Sequence, residues 1–231
     1  MKPSVQPPLP GGFVALPRWP VPGAPPSGWR QRFAVRVLAL LGWRIAFDGL
    51  PAAQGVIVVY PHTSNWDFPF AVLAKWAMGL QLHFWGKDSL FRIPVLSRFM
   101  RHIGGIPVDR QSPHGIVGAM AAEFAKAQSE GREMWLALAP EGTRAYRDAW
   151  RSGFYHLCLK ADLPLGLAYI DTARREIGLT RFVSLSGDPG RDEQDLAAYY
   201  EGCRGFRPDL AAPVRWHNAA SEPVAGAASK H

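Results

Sequence analysis

The sequence predicts an α/β fold: one layered domain, with a central mostly parallel or mixed sheet covered by helices and an amphipathic helix at its N-terminal side. Three observations predict it. From residue 44 onward, short β-branched apolar runs alternate with longer stretches of helical periodicity, the pattern of a sheet with helices packed on it. The turns that follow two of the apolar runs carry chemistry-bearing side chains, and open α/β sheets bind ligands at such strand ends. A chain of 231 residues, 48% of them hydrophobic, can bury one sizeable core.

Residues 1–28 hold nine of the 21 prolines, with glycines between them. That composition favours extended polyproline conformations and cannot pack a core, so we expect a disordered tail without the features of a signal peptide. Trp29 to Trp43 follows, with Phe33, Val37, Leu40 and Leu41 on one helical face and Arg30, Arg32 and Arg36 elsewhere. It is too short and too charged to span a bilayer. It either packs on the core or lies on an anionic membrane surface with tryptophans near the headgroups.

The domain is expected over 29–207. Strands are expected near 44–48, 55–60, 81–85, 105–108, 133–139, 164–170 and 180–185. Helices are expected near 68–78, 92–102, 115–130, 153–161 and 192–203. In the first of these helices Phe70, Leu73, Ala74 and Ala77 share a face, Pro69 suits the first turn, and Gly79 follows the end. In the third, Ile116, Met120, Phe124 and Ala127 form an apolar stripe closed by Gly131. Residues 208–231, rich in Ala and Pro, are expected to be a disordered tail.

His-x4-Asp occurs twice, at His62–Asp67 and at His83–Asp88. Context separates the two. His62 and Asp67 lie between the run Gly55 to Tyr60 and the helix after it, in a strand-to-helix turn; the helix N-terminus favours a negative charge on Asp67. His83 falls inside an expected strand. A second run, Glu141-Gly-Thr-Arg144, follows another expected strand, and Gly142 permits a tight turn or a close backbone approach. A third, Gly104 to Arg110, offers an arginine fork suited to phosphate. A base oriented by a carboxylate, beside arginines suited to anions, points to acyl transfer onto a hydroxyl.

The formal charge of +7 implies an anionic partner. Nucleic acid is not expected, because the basic residues are spread and no helix-turn-helix or zinc-finger pattern occurs. The two cysteines, Cys158 and Cys203, are too few for a disulfide scaffold and have no zinc spacing. We expect reduced thiols, a cytoplasmic setting and no metal. There is no Gly-x-Ser-x-Gly elbow and no nucleotide-binding glycine motif.

Taken in order, His62-Thr-Ser-Asn-Trp-Asp67, Gly105-Ile-Pro-Val-Asp-Arg110 and Pro140-Glu-Gly-Thr-Arg144 resemble the motif blocks of the glycerolipid acyltransferases, the group of 1-acyl-glycerol-3-phosphate acyltransferases and their relatives. Gly86 to Phe91 and Trp150 to Tyr155 add to the likeness, which covers roughly residues 35–207. The resemblance implies that His62 is the general base, oriented by Asp67. Arg110 would bind the acceptor's phosphate, and Glu141, Gly142, Thr143 and Arg144 would serve acceptor binding. Lys87 and Arg151 are further candidates for phosphate or coenzyme contact. The N–H of Gly142 or Thr143 is a candidate oxyanion donor. The acyl donor would be acyl-CoA or acyl-carrier protein, with no other cofactor, and the acceptor a lysophospholipid. The setting would be the cytoplasmic face of a membrane, with the protein peripheral or monotopic on its anionic surface. Where the family often has a proline-apolar-apolar-proline strand, only Pro164 is kept, which leaves the acceptor headgroup open. A different hydroxyl acceptor, such as an aminolipid, or a non-catalytic module on anionic membranes, are the other readings.

Overall fold

The computed structural model describes residues 28–87, 91–108 and 113–216. The expected N-terminal tail lies outside these, apart from Gly28. The elements run α1 (Trp29–Leu40), β1 (Arg44–Phe47), β2 (Gln54–Tyr60), α2 (Asp67–Ala77), β3 (Leu82–Lys87), α3 (Pro94–His102), β4 (Gly105–Val108), α4 (Pro113–Ser129), β5 (Met134–Leu138), α5 (Gly153–Ala161), β6 (Leu165–Asp171), β7 (Glu176–Val183) and α6 (Pro189–Tyr200).

The strands form one sheet in the order β1-β7-β6-β2-β5-β3-β4. The block β6-β2-β5-β3-β4 is parallel throughout. β7 is antiparallel to β6, and β1 is parallel to β7. Every strand in the parallel block therefore ends at the same edge of the sheet. The motif turns after β2 and β5 gather there, as the sequence suggested; Arg110, past the end of β4, lies outside the described residues.

The crossovers decide which helix covers which face. From β2 to β3 to β4 the chain steps one way across the sheet, and from β4 through β5 to β6 it steps back. Right-handed crossovers then put α2 and α3 on one face and α4 and α5 on the other. The cores agree. Alternate residues of β2 point to opposite sides: Val56, Val58 and Tyr60 join Phe124, Phe154, Leu157 and Leu196 of α4, α5 and α6, while Val59 joins Ala34, Leu38, Phe70 and Ala74 of α1 and α2.

Two elements are displaced from expectation by three residues or more. β7 begins four residues before the expected 180, because the β6–β7 turn is closed by Arg175 with φ +48° rather than by a glycine. α6 begins at Pro189, where Asp188 caps the helix by accepting from the N–H groups of Gly190 and Arg191. Residues past the expected boundary at 207 also pack on the domain: Ala212 and Trp216 are buried in the core of α5 and β2. The rest of the expected C-terminal tail lies outside the described residues.

Candidate active site

β2 ends at Tyr60, the Tyr60–Pro61 peptide is cis, and the chain turns through 61–66 into α2. Asp67 opens that helix and folds back on the turn: its Oδ2 accepts the N–H of Ser64 at 2.7 Å and lies 3.2 Å from Nδ1 of His62. The N–H of Trp66 donates to Oγ of Ser64, closing the turn further. Asp67 is only 2% exposed, whereas the His62 side chain is 21% exposed. One ring nitrogen is thus held by a buried carboxylate, and the other, Nε2, lies on the side away from it.

The second turn is built differently from what the motif suggested. Glu141 is buried, 2% exposed, and does not face outward. Its Oε2 accepts the backbone N–H of His62 at 2.5 Å and its Oε1 accepts that of Ala212 at 3.1 Å. Burial pushes its pKa up, against the pull of those two N–H donors. Glu141 therefore ties the His62 turn to the C-terminal segment. Gly142 has φ +68°, and a Cβ there would lie 2.7 Å from Nε of Arg151, so both its backbone and its lack of side chain are used. The Gly142 N–H donates to the carbonyl of Ala139, which corrects the expectation that it serves as an oxyanion donor. The Thr143 hydroxyl accepts the N–H of Ala145, and Arg144 is exposed. Arg151, also exposed, has its N–H on the carbonyl of Pro140, closing the loop, and its guanidinium over Gly142.

β2 and β5 are neighbours in the sheet, which brings His62, Asp67, Glu141 and Arg151 to one place. β3 and β4 end at the same edge, but the Lys87 side chain and Arg110 lie outside the described residues. His83 is in β3, opposite Leu136 of β5, not in a turn. Burial, then Lys75 and Arg132, lower its pKa. Cys158 is fully packed in α5, and burial pushes its thiol up. Among the described residues, no cluster of His, Cys, Asp and Glu could hold a metal ion.

The segment 203–216 was not anticipated as part of the site. It passes beneath both turns: the Thr63 hydroxyl accepts the N–H of Arg207, the Tyr60 hydroxyl donates to the carbonyl of Ala212, and the N–H of Trp150 donates to Arg215. Gly205 lets the backbone approach Thr63, since a Cβ would lie 2.7 Å from its Oγ1. Burial, then Glu141, push the Tyr60 hydroxyl up to about 12, so it stays a donor at neutral pH. An Ala- and Pro-rich composition carries no sign of these bonds, which are made mostly by backbone.

A family model described as acyltransferase matches residues 44–167, more than half of the chain, and spans both motif turns. The chain belongs to the acyltransferase family. It is similar in structure to the 1-acyl-sn-glycerophosphate (LPA) acyltransferase PlsC from Thermotoga maritima, with 16% identity, a TM-score of 0.48, and coverage of 75% of this chain and 76% of that one. No curated protein matches the chain. The matched span runs from the start of β1 into the first residues of β6.

Proposed function

We propose that this acyltransferase moves a fatty acyl group from acyl-CoA or acyl-carrier protein to a hydroxyl of a lysophospholipid-type acceptor. His62 is the general base and Asp67 the carboxylate that orients it. The carrying observation is the 3.2 Å approach of His62 Nδ1 to the buried Asp67 Oδ2 in a turn at the sheet's ligand-binding edge. With Nδ1–H directed at Asp67, Nε2 takes the proton of the acceptor hydroxyl. The hydroxyl oxygen attacks the thioester carbonyl, the C–S bond breaks, and the leaving thiolate takes the proton back from the imidazolium. Asp67 stabilises that imidazolium in between.

Arg144, Arg151, Arg110 and Lys87 supply the anion contacts for the acceptor phosphate and the donor. Two of them, Arg144 and Arg151, are exposed in the loop after β5. Glu141 acts on the histidine's backbone and not on substrate, and Thr143 remains as the N–H to meet the oxyanion.

The protein works peripherally, at the cytoplasmic face of a membrane. α1 supports this by being apolar on two opposite sides. Ala34 and Leu38 pack against α2, while Trp29, Phe33 and Leu40, at spacings of four and seven, face outward, with Leu40 87% exposed. Core packing and membrane contact are thus served by different faces of one helix. No described helix is long and apolar enough to cross a membrane.

Thiol release tests the reading, measured with several acyl-CoAs and acyl-carrier proteins against a panel of lysolipids, for the wild type and His62→Ala. Release that needs one acceptor and is lost in the variant is expected. Acceptor-independent release, or release that survives in the variant, overturns it.

A further inference from the structure

The charge of the two helical layers is unequal. α1, α2 and α3 carry Arg30, Arg32, Arg36, Lys75, Arg98 and Arg101 against one acid, Asp67, which is buried beside His62. α4, α5 and α6 carry Lys126, Lys160 and Arg191 against Glu123 and Glu193, with Asp192 and Asp195 buried, so their outward charge is more nearly balanced. Exposed apolar side chains divide the same way. Eleven large ones are exposed among the described residues, and nine are in α1–α3 or at their caps; only Tyr146 and Leu159 are elsewhere.

α3 concentrates both properties. Met100 is buried on one side of it. On the other side Val95 and Phe99, one turn apart, are exposed, Val95 by 84%, with Ile93 exposed at the N-cap. Arg98 and His102 occupy the adjoining stripe, and Arg101 reaches over the Phe91 ring. Apolar residues flanked by arginines on an outward face are the pattern of a helix lying in a lipid interface, with cations at the headgroups. At nine residues α3 is about 13 Å long, far less than a bilayer's roughly 30 Å hydrocarbon core, so it lies in the plane.

α3 is also joined to the outward stripe of α1. The Arg30 guanidinium meets Nε2 of His102 at 2.9 Å, so Trp29 and Phe99 lie one residue and three residues from that contact. Lys75 of α2 braces the same region from below, donating to the carbonyls of Leu82 and Ile103.

Resting on the lipid acyltransferase reading, we propose that α3 is a second membrane-docking element, and that Val95 and Phe99, with Arg98 and Arg101, seat the α1–α3 layer on an anionic bilayer. The positive, acid-poor layer complements anionic headgroups, and its apolar side chains are spread over two helices as a flat lipid surface requires. Trp66, exposed in the His62–Asp67 turn at the cap of α2, belongs to the same layer, so docking brings the catalytic pair to the lipid.

The test uses the full chain and vesicles of phosphatidylcholine with phosphatidylglycerol. Val95→Asp combined with Phe99→Ser alters exposed side chains, and a thermal melt matching the wild type establishes that the variant is folded. The pelleted fraction should fall at least five-fold. Thiol release with a short-chain donor and acceptor below their micelle concentrations should stay within two-fold of wild type. Arg98→Glu should lower pelleting on anionic vesicles and leave the weak binding to neutral ones unchanged. Pelleting of the double variant equal to wild type overturns the proposal. So does normal pelleting with turnover lost only on an acyl-carrier protein donor, which would make the patch a protein-docking site. Pelleting is read without turnover, so a wild type that docks through α3 but releases no thiol refutes the acyl-transfer reading alone.

Discussion

Replacing Glu141 with alanine removes the acceptor of two buried backbone N–H groups at once, those of His62 and Ala212. Each orphaned donor costs about 1–3 kcal/mol, giving about 2–6 kcal/mol for the pair. Relief of burying the carboxylate, the same burial that raises its pKa, offsets part of that and brings the net loss to about 3 kcal/mol. At a urea slope of roughly 2–3 kcal/mol per molar, the unfolding midpoint drops by about 1 M. The catalytic effect is separate. Freed of its anchor, the His62 turn relaxes, and a displacement near 1 Å costs about 100-fold in turnover. The acceptor KM should stay within a few-fold, because the buried carboxylate meets backbone and not substrate. Glu141→Gln keeps one acceptor oxygen and turns an amide donor toward the other N–H, so it should lose less, about 1–3 kcal/mol. The assays are urea unfolding followed by tryptophan fluorescence and steady-state thiol release. A raised acceptor KM with unchanged kcat and midpoint would refute the reasoning and return Glu141 to substrate binding.

Gly142→Ala forces a side chain into the left-handed region and against Arg151, so a loss of roughly 1–2 kcal/mol and a melting point lower by several degrees are expected; an unchanged melt would contradict the turn's role. Trp216→Ala removes a buried ring packed on Phe154 and Tyr155, which should cost about 3–5 kcal/mol and lower the melting temperature by about 10 °C. A neutral result would return 208–216 to the status of a tail. Burial, then Arg30, lowers Lys75 to about 8 from 10.5. Between those values the unfolded chain binds the proton more tightly, so this group makes stability rise with pH from about 8 to 10.5. The melting temperature of the wild type relative to Lys75→Met should therefore climb from pH 7.5 to pH 10; a level or falling difference would contradict the assignment.

The sheet was legible in the sequence because its strands are short β-branched runs closed by glycine, proline or polar turns, as at Val56 to Pro61. The parallel block then follows from the helices between its strands, and its geometry carries the turns of His62 and Glu141 to one edge. The reading was poorest where backbone supplies the bonds. Nothing in Ala211, Ala212 and Pro213 announces that the Ala212 peptide bridges Glu141 and Tyr60. For the same reason Glu141 was taken for a ligand-facing residue. A motif identifies the side chain but not the direction it points, and here it points inward, with 2% exposure. α1 allowed two competing readings because its two faces differ: Leu38 is buried against α2 and Leu40 is in the open.

The pair His62–Asp67 is the centre of the account, and steady-state thiol release by His62→Ala, His83→Ala and Asp67→Asn tests it most directly. Oδ1 of Asp67 is buried and accepts no hydrogen bond from the described residues, so an asparagine can place its nitrogen there and keep its oxygen toward Ser64 and His62. That variant then loses the charge that stabilises the imidazolium while holding the ring in position. His62→Ala and Asp67→Asn should each lose roughly 10²–10⁴-fold in kcat with a folded protein and little change in acceptor KM, while His83→Ala stays near wild type. A dead His83→Ala beside an active His62→Ala would contradict it.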